Sequence, residues 1–347
     1  MGVYHSNTSD TFTFKYIYKD TEKFGDFSLH YFLSRYLCGD MALKNCRQVS
    51  RKRISLLQAD VDIDDVQAKH LLSNIQSYNQ AVSSLVSEPL SMKILCNIHQ
   101  PLSVDKRISG RIRPTQNWVG ESLENATYVP PPPEDVTRLL NELLIFCNSK
   151  AEHTLDKCIE CYARFVCIHP FADGNGRIAR ALFHTLLIKY GLDSVHLSLF
   201  RLRVPPVRYS NAIWAFGVTS EEGSKHPYWL EAKAWTAEYK INATNTLSAA
   251  QKIIFAKLGF SAITAEDKAT LNYLWAQPLI TPTLLQGTFG WSFTTVKASI
   301  EKLLQLGVLK RYQVKSSQNQ SIFVCEDIFT CWEQLDELIF ANGNKKK

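Results

Sequence analysis

A twelve-residue stretch near the middle of the chain constrains its fold and its chemistry more than any other feature. Residues 169–180 read HPFADGNGRIAR. The Gly-Asn-Gly run at 174–176 can adopt positive φ angles that most residues avoid, so it predicts a tight turn. Apolar residues then recur at helical spacing without an intervening Pro or Gly, which predicts a helix over Arg177–Tyr190. A glycine turn therefore leads directly into a helix N-terminus.

This arrangement is suited to binding a nucleotide phosphate. Backbone N–H groups in a glycine turn and at a helix N-terminus both favour an anion. Arg177 and Arg180 are three residues apart, so they are neighbours on one helix face, and their guanidinium groups match phosphate oxygens. Asp173 can hold Mg²⁺, which usually takes one or two carboxylates plus substrate phosphates. His169 can be neutral near pH 7 and accept a proton, and Pro170 biases it away from the helical region, so we expect it to cap the preceding helix.

Each of these features alone has an ordinary structural explanation. A lone histidine, a lone Asp-Gly turn or a lone pair of arginines is structural more often than functional. Their occurrence together within twelve residues favours a nucleotide site.

The stretch resembles the Fic family signature, HPFx(D/E)GNGRxxR, at every defined position. The resemblance implies a protein adenylyltransferase, which transfers AMP from ATP to a protein hydroxyl and releases pyrophosphate. It also implies that His169 takes the proton from a Ser, Thr or Tyr of the target. The implied ligand of Mg²⁺ is Asp173. The residues that it implies for nucleotide binding are Phe171, Asp173, Gly174, Asn175, Gly176, Arg177 and Arg180, with Asn175 near the α-phosphate and the two arginines on the β- and γ-phosphates.

A second segment supports this resemblance. GRIRPTQNWVG at 110–120, followed by ATYV at 126–129 and four prolines at 130–133, resembles the Fic flap, which is a β-hairpin. A hairpin with exposed backbone can pair with an extended target segment by strand addition, so Gly110–Gly120 is the predicted docking site of a target protein. The alternative is an ordinary surface hairpin. The prolines mark an exit loop, and Pro132, Pro133 and Glu134 predict the start of the next helix.

Composition places the chain among ordinary globular proteins. Its 347 residues are 45% hydrophobic and 21% charged, and this length accommodates two or three domains. No apolar run reaches transmembrane length and the first residues do not resemble a secretory signal, so no membrane association is expected. The formal net charge of +6 does not by itself indicate nucleic acid. Cys158 and Cys161 form a C-x-x-C, but no second such pair completes a zinc set, which favours core packing in a reducing cytoplasm.

The predicted fold class is mainly α: a Fic helical core with a β-hairpin flap, followed by a winged helix-turn-helix domain. The predicted domains are a helical region at 1–84, the Fic catalytic core at 85–250 and the winged-helix-like domain at 251–347. In this last domain the pattern is helix, short helix, turn, helix and two strands. Homodimers are common in the family, but no sequence feature here defines a dimer interface.

The winged-helix-like domain has two interpretations. DNA binding would place residues of its third helix near a groove, namely Ser292, Thr294, Thr295, Lys297 and Lys302. However, residues 251–347 carry 10 Lys and 1 Arg against 3 Asp and 5 Glu, and three of the lysines are the last three residues. This is a weak electrostatic footprint for a DNA-binding protein, so protein docking or regulation is favoured.

One segment departs from the family pattern. Many Fic proteins carry an inhibitory helix with the motif S/T-x-x-x-E-G/N, whose glutamate binds the second arginine of the signature. The best match here is 34–39, SRYLCG, in which Cys38 occupies the position of the glutamate. A neutral thiol cannot form a charge-assisted pair with Arg180. We therefore expect a chain that modifies itself with ATP and removes AMP poorly. The alternatives to adenylyl transfer are transfer of another nucleotide, such as UMP, and a DNA-binding or regulatory protein with an inactive Fic core.

Overall fold

The structure, a computed structural model, describes residues 49–103, 107–149, 154–192, 195–314 and 320–340. These form two compact units. One contains residues 74–238, and the other contains 49–73 and 239–340. The residues 34–39 that carry the inhibitory-helix match lie outside the described residues.

Helices dominate the described part of the chain, as the sequence predicts. The helices are α1 (Arg51–Gln58), α2 (Val66–Ser87), α3 (Met92–Leu102), α4 (Pro133–Asn148), α5 (Leu155–Ile168), α6 (Asn175–Lys189), α7 (Pro206–Val218), α8 (Ser220–Lys225), α9 (Pro227–Leu258), α10 (Ala265–Leu274), α11 (Pro282–Phe289), α12 (Phe293–Gln305) and α13 (Glu326–Phe340), with a 3-10 helix at Val195–Leu202. The strands are β1 (Val119–Gly120), β2 (Ala126–Tyr128), β3 (Leu279–Ile280), β4 (Lys310–Tyr312) and β5 (Ile322–Val324). None of the described helices has both the length and the apolar character needed to cross a bilayer.

Helices α5 and α6 form the centre of the unit at 74–238. Both are buried along most of their length and pack against each other, and α5 also packs against α4 and α7. A helix that is apolar on nearly all sides belongs in a core. The loop that joins α5 to α6, residues 169–174, is therefore held at both ends by buried helices. This loop is called the motif loop below.

Local sequence signals account for where these helices begin. Thr154 caps α5 by accepting a hydrogen bond from the Lys157 N–H at 3.2 Å. Helix α4 begins at Pro133 with two acidic residues in its first turn, so the predicted start at Pro132–Glu134 is confirmed. The predicted helix at Arg177–Tyr190 is α6, which begins two residues earlier, at Asn175.

The other unit combines α10 to α13 with a three-stranded antiparallel sheet. The strand order is β3-β5-β4, and β5 pairs Leu279 with Val324 on one side and Lys310 with Val324 on the other. The sequence predicts α10, α11, α12 and the last two strands, but not β3 or α13. The identification of this unit as a winged helix remains a prediction.

Residues 49–73 pack with this sheet-containing unit, although the sequence groups them with residues 1–84. Arg51 forms two hydrogen bonds to Asp336, at 2.7 and 2.9 Å, and Lys52 is 2.8 Å from Glu326. The buried Gln277 amide also donates to the Ser55 carbonyl oxygen at 2.6 Å. Helix α1 is thus part of the C-terminal unit.

Candidate active site

His169 ends α5 in a left-handed conformation. Its φ and ψ are 50° and 56°, and its N–H donates to the Phe165 carbonyl oxygen at 3.1 Å. The prediction that His169 caps the preceding helix is therefore confirmed. The left-handed region costs a non-glycine residue about 1–2 kcal/mol, and such strain is concentrated at functional sites. Pro170 disfavours the right-handed helical region for the residue before it, and His169 lies outside that region.

The end of the motif loop forms the N-terminus of α6. Gly174 has φ of 78° and is the N-cap, and its carbonyl oxygen accepts from the N–H groups of Arg177 and Ile178 at 3.1 Å. Asn175 and Gly176 supply the first two N–H groups of the helix, which have no acceptor within an α-helix. A helix terminus of this kind is suited to an anion, and its binding of phosphate stays a prediction.

Asn175 is buried, and its side chain closes the motif loop. The Phe171 N–H donates to the Asn175 Oδ1 at 2.9 Å, and the Asn175 Nδ2 donates to the Phe171 carbonyl oxygen at 2.7 Å. The Phe171 ring is fully buried. These two residues therefore shape the loop from within, and their contacts with a nucleotide stay predictions.

Asp173 and Arg177 form an ion pair across one turn. The Arg177 Nη2 donates to the Asp173 Oδ2 at 3.0 Å. The Asp173 side chain is 49% exposed, whereas the Arg177 guanidinium is nearly buried and its Nε has no hydrogen-bond acceptor among the described residues. A buried donor without an acceptor is uncommon in folded proteins, and a bound anion can supply one.

Arg180 lies one turn further along α6 and is buried. Its carbonyl oxygen accepts from the Tyr78 hydroxyl at 3.2 Å, which attaches α2 to α6 behind the motif loop. The i, i+3 spacing places Arg177 and Arg180 on neighbouring positions of one helix face. The structure thus brings all seven predicted nucleotide-binding residues into the motif loop and the first two turns of α6.

The flap, residues 110–131, is fastened to the backbone around the motif loop. Its strands β1 and β2 pair antiparallel, with Val119 opposite Tyr128, so the predicted hairpin is present. Five main-chain carbonyls near the loop accept hydrogen bonds from the flap or from α3. The pairs are Tyr128 Oη to Cys167 (2.9 Å), Arg113 Nε to His169 (2.9 Å), Arg113 N–H to Pro170 (2.9 Å), Asn117 Nδ2 to Phe171 (3.1 Å) and His99 Nε2 to Asp173 (3.0 Å).

Arg113 and His99 make contacts that the sequence does not predict. Arg113 is buried, and burial lowers the pKa of its guanidinium. It also donates to the carbonyl oxygens of Thr115, at 3.1 Å, and of Pro131. His99 lies outside the quoted motifs, and a single histidine on an apolar helix face carries no signal that distinguishes it from a core residue.

The exposed part of the flap carries large apolar side chains among its polar ones. Trp118, Leu123 and Val129 are all exposed. Tyr128 stacks on Trp214 with ring centroids 4.0 Å apart, and burial raises the pKa of its hydroxyl, so this hydroxyl stays protonated and donates to Cys167. The flap thus has a fixed inner side and an exposed outer side.

The C-x-x-C cysteines lie in the core, as the sequence favours. Cys158 and Cys161 are fully buried on α5, and the Cys161 Sγ is 2.9 Å from the Sγ of Cys147 on α4. Burial raises the pKa of the Cys158 thiol to about 12. A thiol so far from ionisation behaves as a small apolar side chain.

Comparisons with known proteins agree with the motif. The model of the Fic/DOC family matches residues 89–187. The chain is 30% identical over 150 residues to the Protein adenylyltransferase Fic of Drosophila yakuba, covering 41% of this chain and 28% of that protein. It is 34% identical over 111 residues to the protein of the same name from Aedes aegypti, covering 30% of this chain and 21% of that protein. The chain thus spans less than a third of the length of these curated relatives.

Two solved structures also align with the chain. One is a Fic domain containing signaling protein from Bacteroides thetaiotaomicron, with a TM-score of 0.45 and 19% identity over 67% of this chain and 92% of that chain. The other is a Fic family protein from Desulfovibrio desulfuricans, with a TM-score of 0.45 and 17% identity over 93% of this chain and 98% of that chain. The family match at 89–187 includes the signature at 169–180, so this part of the chain is similar to a Fic domain.

Proposed function

We propose that the chain is a protein adenylyltransferase that transfers AMP from ATP to a Ser, Thr or Tyr hydroxyl of a target protein. The observation that carries this proposal is the motif loop, which has a histidine at the end of one buried helix and a glycine-capped terminus, suited to phosphate, at the start of the next. The names of the relatives from Drosophila yakuba and Aedes aegypti support adenylyl transfer in particular.

The proposed reaction is an in-line displacement at the α-phosphorus. The target hydroxyl oxygen forms a bond to the α-phosphorus while the bond from the α-phosphorus to the bridging oxygen breaks, and pyrophosphate leaves. His169 takes the proton of the attacking hydroxyl. Because there is little covalent chemistry for the protein to perform, positioning and charge stabilisation supply most of the rate.

The motif loop fits a magnesium–phosphate group. The half-exposed Asp173 carboxylate is a ligand of the kind that Mg²⁺ prefers, and the buried Arg177 Nε lacks an acceptor within the part of the chain that the structure describes. Mg²⁺, when bound, would neutralise charge on the phosphates. Asp173 would hold the ion, the N–H groups at the start of α6 would bind phosphate oxygens, and Arg177 and Arg180 would bind the β- and γ-phosphates.

The flap would hold the acceptor. Its segment Gly110–Gly120 would pair with an extended part of the target by strand addition, which places a hydroxyl next to the motif loop.

The test is transfer from ATP labelled at the α-phosphate. The purified chain is incubated with labelled ATP, Mg²⁺ and a cell lysate, and modified proteins are identified by mass spectrometry. Wild type is expected to label targets, and His169→Ala is expected to lose labelling while ATP binding is retained in calorimetry. His70→Ala, at an exposed position on α2, is the matched control. Equal labelling by wild type and His169→Ala would contradict the proposal, and label from UTP in place of ATP would indicate uridylyl transfer.

We also propose that this chain lacks the usual internal inhibition. The hypothesis rests on the sequence alone, since Cys38 lies outside the described residues. Wild type is expected to label itself with ATP and to release AMP slowly from a modified target. Cys38→Glu is expected to reduce self-labelling, whereas Cys38→Ser, which introduces no charge, is expected to leave it unchanged. An absence of self-labelling that Cys38→Glu does not alter would refute the hypothesis.

For the C-terminal unit we favour protein docking or regulation over DNA binding. Lys302 donates to the Ala262 carbonyl oxygen and lies 3.5 Å from Asp267, and Lys297 lies 3.7 Å from Glu301. Both lysines of the predicted recognition helix therefore have intramolecular partners. Fluorescence anisotropy with a mixed-sequence duplex tests this preference. Submicromolar binding that weakens steeply between 50 and 200 mM salt would favour DNA.

A further inference from the structure

We propose that His99 is a positioning residue that fixes the flap and the magnesium-binding part of the motif loop relative to each other; this inference rests on the proposed function. Its Nδ1 accepts a hydrogen bond from the Gly110 N–H at 2.8 Å. Its Nε2 lies 3.0 Å from the Asp173 carbonyl oxygen. A single imidazole ring thus joins the first residue of the flap to the proposed ligand of Mg²⁺.

The partners of His99 determine its tautomer. A backbone N–H can only donate, so the Nδ1 that faces Gly110 carries no proton. A carbonyl oxygen can only accept, so the Nε2 that faces Asp173 carries one. His99 is therefore the neutral Nε2–H tautomer, and either the other tautomer or the imidazolium would lose the bond from Gly110.

The ring has little freedom to move. His99 is fully buried and stacks on Phe171, with ring centroids 4.1 Å apart and planes 11° from parallel. The backbone of Phe171 is in turn clamped by the side chain of Asn175. A displacement of His99 would therefore require the motif loop to move as well.

Glycine is required at the flap end of this link. Gly110 has φ of 72°, and a Cβ there would lie 2.9 Å from the Gln100 side chain and 3.2 Å from the Cys96 carbonyl oxygen. The flap can thus approach α3 closely enough for its N–H to reach the imidazole. Nothing in this geometry brings His99 to the reacting atoms, so its effect on the acceptor passes through Gly110 and its effect on the phosphates passes through Asp173.

Two amide substitutions separate the two bonds of His99. His99→Gln places an amide nitrogen near the position of Nε2, which keeps the bond to Asp173 and removes the one from Gly110. His99→Asn places an amide oxygen near the position of Nδ1, which keeps the bond from Gly110 and removes the one to Asp173. The loss of one buried hydrogen bond corresponds to roughly a tenfold effect.

We expect the two variants to affect different substrates, one the target protein and the other MgATP. His99→Gln should raise the KM for the target about tenfold and change the Kd for MgATP less than about threefold. His99→Asn should raise the Kd for MgATP about tenfold and change the KM for the target less. Equal effects of both variants on both constants would indicate a merely structural residue and would overturn the inference.

Hydrogen exchange provides a readout that does not depend on transfer. Flap amides at 110–120 should exchange faster in His99→Gln than in His99→Asn, and the same pattern in both variants would overturn the inference even if the transferase activity is established. If the wild type transfers no nucleotide but the two variants still differ in the exchange of their flap amides, only the proposed function is contradicted. Should either variant fail to fold, the nitrogen-15 shifts of the wild-type imidazole decide, because an Nδ1–H tautomer of His99 would overturn the inference.

Discussion

The Nε of Arg113 donates a 2.9 Å hydrogen bond to the carbonyl oxygen of His169, so a buried residue of the flap holds the backbone of the proposed base. The Arg113 N–H holds the next carbonyl, that of Pro170, at 2.9 Å. The other two guanidinium nitrogens donate to the carbonyl oxygens of Thr115 and Pro131. One side chain thus connects the start of the flap, its end and the motif loop.

Arg113→Lys should disconnect these segments. A lysine ammonium is a point donor and cannot reproduce the planar fork that reaches three separate carbonyls. Since hydrogen bonds from charged donors contribute about 1.5–3 kcal/mol, we expect the free energy of unfolding to fall by about 2–3 kcal/mol, and kcat to fall as His169 loses its support. Urea denaturation measures the first effect and labelling kinetics the second. Arg111→Lys, at an exposed position two residues away, is the control, and equal midpoints for both variants would rule out the proposed role of Arg113.

Gly174→Ala should strain the N-terminus of α6. Gly174 has φ of 78°, while the nearest atoms to an added Cβ are 3.6 Å away, so the penalty comes from the backbone and not from crowding. We expect a loss of about 1–2 kcal/mol in stability together with weaker MgATP binding, because relaxation of this residue would turn the first N–H groups of the helix away from the phosphates. Gly287→Ala is a matched control: Gly287 lies within α11, has open space around it and should tolerate alanine with a gain of up to about 1 kcal/mol. Similar stabilities of the two variants would contradict this interpretation.

Asp173→Asn should weaken the binding of Mg²⁺ with little change in stability. The amide keeps the shape of the carboxylate but cannot provide the charge for Mg²⁺, so we expect the concentration of Mg²⁺ that gives half-maximal activity to rise at least about tenfold. The ion pair with Arg177 is partly exposed and should contribute little to stability. Asp156→Asn, which removes a similarly exposed carboxylate paired with Lys233, should leave the Mg²⁺ dependence unchanged. An unaltered Mg²⁺ dependence of Asp173→Asn would remove this residue from the metal site.

The sequence predicts the motif loop well because the signals there are local. Gly174 needs a positive φ, and α6 follows it within one residue, so both can be read from neighbours in the chain. The contacts that fasten the loop are not local: His99 is 74 positions from Asp173, and Arg113 is 56 positions from His169. Such pairs depend on how α3 and the flap pack on α5 and α6, which no short pattern encodes.

Sequence patterns also do not predict two further features, because both depend on tertiary packing. Helix α1 packs with the C-terminal unit through Arg51 and Asp336, which are 285 positions apart. Asn175 carries a side chain suited to phosphate, but in the structure its amide is engaged by the backbone of Phe171. In both cases the residue type is compatible with more than one partner, and tertiary packing selects among them.

The buried thiols predict how stability depends on alkaline pH. Burial raises the pKa of Cys158 to about 12 from an ordinary value of 9.0, so above pH 9 the unfolded chain loses a proton that the folded chain keeps. The contribution of this group to stability is therefore complete below about pH 9 and is lost as the pH rises toward 12. Cys158→Ala should make the decline of the free energy of unfolding in this window shallower by up to about 1.4 kcal/mol per pH unit.

Urea denaturation between pH 8 and 11 under reducing conditions measures the slope. The control is Val136→Ala, at a buried position without a titratable group, which should lower stability without changing the slope, and parallel curves for Cys158→Ala and wild type would refute the prediction.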